Sequence, residues 1–393
     1  MKIFKKKIKK NFKKLYHSIN NLKKNNKKFL KIFLILLLSF LLIVLSKKYR
    51  IIIQPLLTNI KKVFDRKINK GKKLKVGVIG LDHHNNVGNN ILKYAMYVQL
   101  KELGVDPYII GYNYRKGVKF ITEHTNLVSI KNFSQINESD YDILMVNSDQ
   151  TWRYWNSRFF DIAFLKFAEN WTIPKFVYAA SIGTDYWSFS NTTNEKAKVL
   201  LKNFTGISVR EIGTVKYVKQ FLNLSAIYVL DPVLLINKTY YLDVINNYTK
   251  AIKNVDYILT YKLDYFYKME RFIKLAKKEL KYQIYDIRLN DEKYIEKFLS
   301  GIYNCKAVIT NSYHGVLFSI IFEKPFVAFV GGFRGKERFN TLIEVFGIKD
   351  RIFDKSGEPT LELLNTPLNI NYTTINYYRN ISLHYLKQNL NVQ

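Results

Sequence analysis

The sequence has one cysteine, Cys305, in 393 residues. No disulfide can close within the chain, and no cysteine-based zinc site can be built. Acids are scarce at the start: residues 1–73 carry 23 Lys and Arg against one acid, Asp65, a net +22. The remaining residues carry 40 bases and 30 acids, a net +10. The total of +32 therefore describes a basic leader more than the body, and the chain is not read as a nucleic-acid binder. Phosphate-cradling fingerprints are missing too. Gly80, Gly88 and Gly104 are too far apart for G-x-G-x-x-G, there is no G-x-x-x-x-G-K-[ST], and there is no H-E-x-x-H. His83 and His84 stand without other metal ligands at a diagnostic spacing, so no metal site is expected.

Long apolar runs are also absent. From Ile32 to Leu45 the chain is apolar except for Ser39, 14 residues in all. A membrane-crossing helix needs about 20 residues, and snorkelling of Lys31 brings the segment to roughly 17. A short spanning anchor over 29–46 fits best. An in-plane helix held by lysines on anionic headgroups comes second, and a cleaved signal peptide third. Residues 1–28 form a lysine-rich leader and 47–73 a basic linker. Lysines flank both sides of the apolar run, so charge does not set its orientation.

Hydrophobic residues make up 48% of the chain, enough for a large core. Residues 74–80 read as a buried strand, 91–103 as a helix and 107–111 as a second strand, which opens a doubly wound α/β domain. Strands follow at 142–146, 175–180, 206–210 and 227–230. Residues 237–254 are polar and read as a linker. Alternation resumes over 255–352, with strands at 255–261, 283–287, 307–309 and 326–330 and helices at 264–280, 294–303 and 314–322. The expectation is α/β: two Rossmann-like halves, 74–236 and 255–352, followed by a polar tail, 353–393.

In open α/β sheets ligands bind beyond the carboxyl ends of the strands. Polar clusters fall there: Asn86 and Asn89, Asn147 to Gln150, Ser181 to Gly183, Arg210-Glu211, and Thr310-Asn311-Ser312-Tyr313-His314-Gly315. In the last, Ser312 caps a helix start whose N–H groups suit an anion, with His314 in its first turn. A simple structural cap is the other reading. Arg210 is a fork donor for carboxylate or phosphate, or a partner of a neighbouring acid. Asp149 is a candidate base or a turn residue. Trp152 could stack on a sugar or pack in the core. Residues 331–338 read as a flexible basic loop offering Arg334, Lys336 and Arg338 to an anion.

These strings, in this order, resemble the polysaccharide pyruvyl transferase family. The likeness spans about 75–350: Asn86-Val87-Gly88-Asn89, then Ser148-Asp149-Gln150-Thr151-Trp152, then 178–183, Ser208-Val209-Arg210-Glu211, Asp231-Pro232, Thr310 to Gly315 and Pro325-Phe326. Two departures stand out. Asn147 replaces a usual glycine, and Asn311 a frequent aspartate. The resemblance implies an architecture like that of the two-domain GT-B glycosyltransferases. It implies phosphoenolpyruvate as donor, no separate cofactor, a glycan or polysaccharide as acceptor, and a pyruvate ketal as product. By position, Arg210 and His314 are the family's site residues.

The expected site therefore has His314, Asp149 and Arg210 as catalytic groups. Arg210, Ser312, His314, Gly315, Arg334, Lys336 and Arg338 bind the donor, and Asn86, Asn89, Gln150, Trp152 and Ser181 meet the acceptor. A nucleotide-sugar glycosyltransferase and an inactive, membrane-anchored glycan-binding protein are the competing readings. The donor is cytosolic, which places the body on the cytosolic side of a membrane. A Golgi-like lumen is the alternative, permitted by sequons at Asn170 and Asn203.

Overall fold

The computed structural model describes residues 73–80, 86–112, 119–153, 157–248, 255–287, 293–331 and 335–392. The leader, the apolar run over 29–46 and nearly all of the basic linker lie outside the described residues. Among the described residues no helix is long and apolar enough to cross a membrane.

β1 (Lys75–Ile79) is almost wholly buried, as a continuous apolar strand covered on both faces should be. It pairs in parallel with β2 (Asp106–Tyr112) and β4 (Ile143–Val146). With β3 (Leu127–Ile130), β5 (Lys175–Ala180), β6 (Gly206–Val209) and β7 (Ile227–Tyr228), the strand order is β3-β2-β1-β4-β5-β6-β7. That is the doubly wound dinucleotide-fold order with one strand added, and its switch point lies between β1 and β4.

The second sheet holds β8 (Tyr257–Tyr261), β9 (Gln283–Asp286), β10 (Ala307–Thr310), β11 (Phe326–Phe329) and β12 (Ile352–Phe353), all parallel. Its order, β12-β11-β10-β8-β9, is the flavodoxin-like arrangement, with the switch between β8 and β10. Two α/β halves with parallel sheets are thus present, as expected. The short strands β3 and β12 are additions to the sequence reading.

Helices α1 (Val87–Glu102), α2 (Lys119–His124), α3 (Ser157–Ala163), α4 (Asn191–Leu201) and α5 (Ile212–Tyr217) belong to the first half. Next comes α6 (Lys238–Asn246), within the segment expected to be a polar linker. Asn237 caps it by accepting from the Thr239 N–H at 3.0 Å. Its Tyr241 is fully buried edge-on against Phe318, 5.0 Å between ring centres. The second half adds α7 (Tyr267–Glu279), α8 (Tyr294–Asn304), α9 (Tyr313–Ile321) and α10 (Lys336–Phe346). α10 takes over the end of the flexible loop expected over 331–338, of which residues 332–334 lie outside the described residues. Phe339, Leu342, Val345 and Phe346 recur at helical spacing and bury that face.

The polar tail is also more than a tail. α11 (Tyr372–Leu390) returns to the first half and buries Ile375, Ser382, Leu386 and Leu390 on one stripe. Ser382 accepts from the Leu230 N–H at 2.9 Å, the Tyr385 hydroxyl donates to the Val177 carbonyl at 2.6 Å, and Arg379 donates to the Leu234 carbonyl at 3.0 Å. The chain therefore crosses between the halves twice. One core cluster spans both, running from Ile91, Leu92 and Met96 through Val233 and Leu234 to Phe298, Leu317 and Phe318.

Candidate active site

The two switch points face a shared cleft, each feeding a helix start. Asn86 follows β1 and caps α1, accepting from the Asn89 N–H at 3.1 Å. Ser312 follows β10 and caps α9, accepting from the Gly315 N–H at 3.3 Å. The helix starts meet at Gly88 and His314, where a Cβ on the glycine would lie 2.1 Å from the ring Nδ1. Two positive dipole ends thus converge on one cavity. Its volume is about 30 Å³, room for a water-sized occupant. Asn86, Asp149, Gln150, Tyr261, Leu263, Asn311, Ser312, Tyr313, His314 and Arg338 line it.

Arg210 leaves the end of β6 and is 1% exposed. Its Nη1 donates to Asp231 Oδ2 at 2.9 Å. Nη2 lies 3.6 Å from Asp149 Oδ1, and Nε 3.9 Å from Glu211 Oε1. The guanidinium also sits 4.7 Å from the Tyr313 ring centre. Nε and Nη2 have no hydrogen-bond acceptor. Burial opposes the charge, but Asp231, Tyr313, Asp149 and Glu211 outweigh it and keep the group firmly protonated. Arg338, in the first turn of α10, places its own guanidinium 5.7 Å from the same ring centre. Burial and the like charge of Arg210 push its pKa down to about 10.

Asp149 adopts φ 97°, a left-handed conformation uncommon outside glycine. Strain of this kind costs about 1–3 kcal/mol and gathers at functional sites. Here it holds the carboxylate between the Asn89 amide, donating to Oδ2 at 3.1 Å, and the Gln150 N–H, donating to Oδ1 at 2.8 Å. Burial pushes the carboxyl up, but Arg210, His314 and those hydrogen bonds pull it below the ordinary value. Asn147, standing in for a usual glycine, is not among the positive-φ residues, so this replacement needs no backbone strain.

His314 is 8% exposed. Burial drives its pKa down to about 4 against the opposing pull of Asp231. Its Nε2 lies 3.7 Å from Asp231 Oδ2 and has no hydrogen-bond partner. Burial pushes the Glu211 carboxyl up. Ser181 donates to Glu211 Oε1, and Thr214 to Oε2 at 3.2 Å.

The structure brings Asn86, Asp149, Gln150, Ser312, His314 and Arg338 to the cavity wall, with Arg210 against Tyr313. It does not expose every residue expected to meet an acceptor. Asn89 and Ser181 are buried and hold Asp149 and Glu211 instead. Trp152 is 1% exposed and stacks on Phe164 at 5.5 Å, so it belongs to the core and offers no face to a sugar. Gly315 is needed for packing, since a Cβ would meet Thr310 Oγ1 at 2.5 Å. Lys336 points away to Asp354, 3.1 Å from its carboxylate, and lines a different cavity. Arg334 lies outside the described residues.

Asp231, Glu211, Tyr313, Tyr261 and Asn311 complete the site, although the sequence alone assigns none of them a catalytic or binding part. The string Asp231-Pro232 was the available signal for the first, a cap residue directly after a strand. Among the described residues no cluster of three or more His, Cys, Asp or Glu could hold a metal ion.

Buried arginines and two helix starts at the cleft of a doubly wound α/β pair make a site suited to an anion. Residues 86–331 match the polysaccharide pyruvyl transferase family, and the chain belongs to that family. No curated protein matches it. Solved structures that resemble it include UGT89C1 of Arabidopsis thaliana complexed with UDP-L-rhamnose, at TM-score 0.48 and 11% identity over 81% of this chain and 98% of that one. Anabaena Alr3699/HepE in complex with UDP-glucose resembles it at TM-score 0.45 and 10% identity, over 81% and 95%. A Klebsiella pneumoniae protein of uncharacterised function, KP1_0663, does so at 0.42 and 12%, over 76% and 99%.

Proposed function

We propose that the protein transfers pyruvate from phosphoenolpyruvate to two hydroxyls of one sugar in a glycan, forming a ketal and releasing phosphate. The observation that carries this reading is Arg210. It is a buried, protonated fork donor with two unsatisfied nitrogens, beside Arg338 and two helix starts. Such a donor set suits an anion bearing both carboxylate and phosphate.

The chemistry balances without a further reactant. A proton added to the methylene carbon makes it methyl and leaves an oxocarbenium-like centre. One sugar hydroxyl attacks and gives up its proton. The C–O bond to phosphate breaks, and the second hydroxyl closes the ketal. The two hydroxyl protons end on the methyl group and the phosphate. His314 is neutral in the empty site because of burial. The incoming phosphate and carboxylate raise its pKa, so it gains the proton it then delivers. Asp149 stays ionised and takes the proton of the attacking hydroxyl. The scheme draws on the donor alone and needs no cofactor. Residues 29–46 attach the enzyme to a membrane with its body on the cytosolic side, where the donor is made; the support is the apolar run and its lysine flanks.

The test uses the full chain. Thermal unfolding is followed with phosphoenolpyruvate and, separately, with UDP-sugars, and phosphate release is measured over a panel of glycans. A ligand that binds the folded state raises the midpoint by mass action. Stabilisation by phosphoenolpyruvate with acceptor-dependent phosphate release is the expected result. Stabilisation by UDP-sugars alone would overturn the proposal in favour of glycosyl transfer. Stabilisation by neither would favour a glycan-binding protein.

A further inference from the structure

Asn311 occupies the end of the β8/β10 switch, and both ends of its amide are used. Its Oδ1 accepts from the Leu263 N–H at 2.8 Å, and its Nδ2 donates to the Asp264 carbonyl at 2.8 Å. An aspartate could accept the first bond but could not donate the second. The asparagine therefore fixes the backbone of the loop after β8 directly to the cavity wall, which Asn311 and Leu263 both line.

The next residue in that loop is Tyr265, 76% exposed, the most exposed large hydrophobic side chain among the described residues. Phe266 beside it faces inward, packed against Phe329 and over Gly331, where a Cβ would meet its ring at 2.3 Å. Alternation at the loop thus turns one ring into the core and the other to solvent. Tyr265 follows the cavity-lining Leu263 by two residues, so the pinned loop carries a bare aromatic ring a short step along the chain from the polar cavity, an arrangement for stacking. Trp152, the ring expected to do this, is in the core.

We infer that Tyr265 is the platform for a pyranose ring of the glycan acceptor, held in place by Asn311. The inference rests on the proposed transfer to a glycan and names where the acceptor chain lies. The apolar face of a pyranose covers the phenol ring, while the acceptor's hydroxyls reach past Leu263 toward Asp149. Asn311 is a positioning residue, acting through the loop.

The experiment measures binding of cellotetraose and of a linear galactotetraose to the full chain by saturation-transfer NMR. The variants are Tyr265→Ala, Tyr265→Phe, Asn311→Asp and, as control, Tyr377→Ala, an exposed tyrosine on α11. Tyr265→Ala should weaken binding about tenfold, Tyr265→Phe should keep it within about twofold, and Tyr377→Ala should not change it. Asn311→Asp should weaken binding and speed amide hydrogen exchange at Leu263 to Tyr265, the signature of a released loop. Failure of the parent to bind either oligosaccharide, or equal binding by parent and Tyr265→Ala, overturns the platform. The thermal shift with phosphoenolpyruvate is read on the same samples. If it is absent while binding still depends on Tyr265, the transfer reading fails and the platform stands. If it is present and Tyr265→Ala binds normally, the platform alone fails.

Discussion

Gly88 and His314 come from opposite halves of the molecule and touch, with no room for a methyl group between them. The first turn of α1 thus forms the wall against which the imidazole ring rests, and that contact fixes the ring's position opposite Asp231.

Gly88→Ala should turn His314 away while leaving the fold intact. Overpacking of this kind costs about 1–3 kcal/mol. The expected result is a modest fall in unfolding midpoint and a loss of most stabilisation by phosphoenolpyruvate. A melt with and without the donor reads both. An undiminished donor shift would show that the ring position is unimportant.

Arg210 couples three acids, and removing it strands Asp231 as a buried charge. Arg210→Met should cost about 3–5 kcal/mol in urea unfolding. Arg210→Lys should recover part of that stability but not donor binding, since an ammonium lacks the planar fork. Full donor binding by the lysine variant would argue against a bidentate role.

The histidine also gives a pH signature. Its folded pKa, down to about 4, lies below the value near 6.5 for an unfolded chain. The unfolded state therefore takes up the proton first, and stability falls as pH drops from about 6.5 to about 4. The full effect is about 3 kcal/mol. Glu211, with its folded pKa raised, works in the opposite sense: its contribution is greatest at low pH and fades as pH rises. His314→Gln should remove the histidine part of the slope and leave the Glu211 part. Chemical unfolding at several pH values from 4 to 7 measures this, and an unchanged slope in the variant would refute it.

α11 should prove indispensable to the first half. Ending the chain before Tyr372 removes the Ser382 acceptor from the buried Leu230 N–H and uncovers Phe176, against which Tyr385 packs edge-on at 6.1 Å. A buried donor left without a partner costs about 1–3 kcal/mol, before the lost apolar contacts are added. The truncated protein should be insoluble or unfolded at 25 °C by circular dichroism. A truncated protein with a native melt would contradict the role given to this helix.

The sequence disclosed strands more readily than it disclosed their partners. Residues 76–79 and 143–146 are apolar throughout, and burial on both faces allows little else. α11 was hidden because its buried stripe is narrow and includes a serine and a tyrosine among asparagines, a pattern that reads as polar. α10 was hidden because its first turn is charged and its apolar face begins only at Phe339. Within the site, Arg210, His314 and Asp149 were legible as polar residues at strand ends. Asp231 and Glu211 also stand at strand ends, but their parts were not legible, because their work is to face another side chain rather than solvent, and that depends on how distant segments are brought together.

The double passage of the chain has a mechanical consequence. The second half is, in connectivity, an insertion in the first, entered through the segment after Ile236 and left through the segment before Tyr372. Two tethers and a shared core constrain the relative placement of the halves more than a single strap would. The contact between Gly88 and His314 is thereby set by two connections and not one.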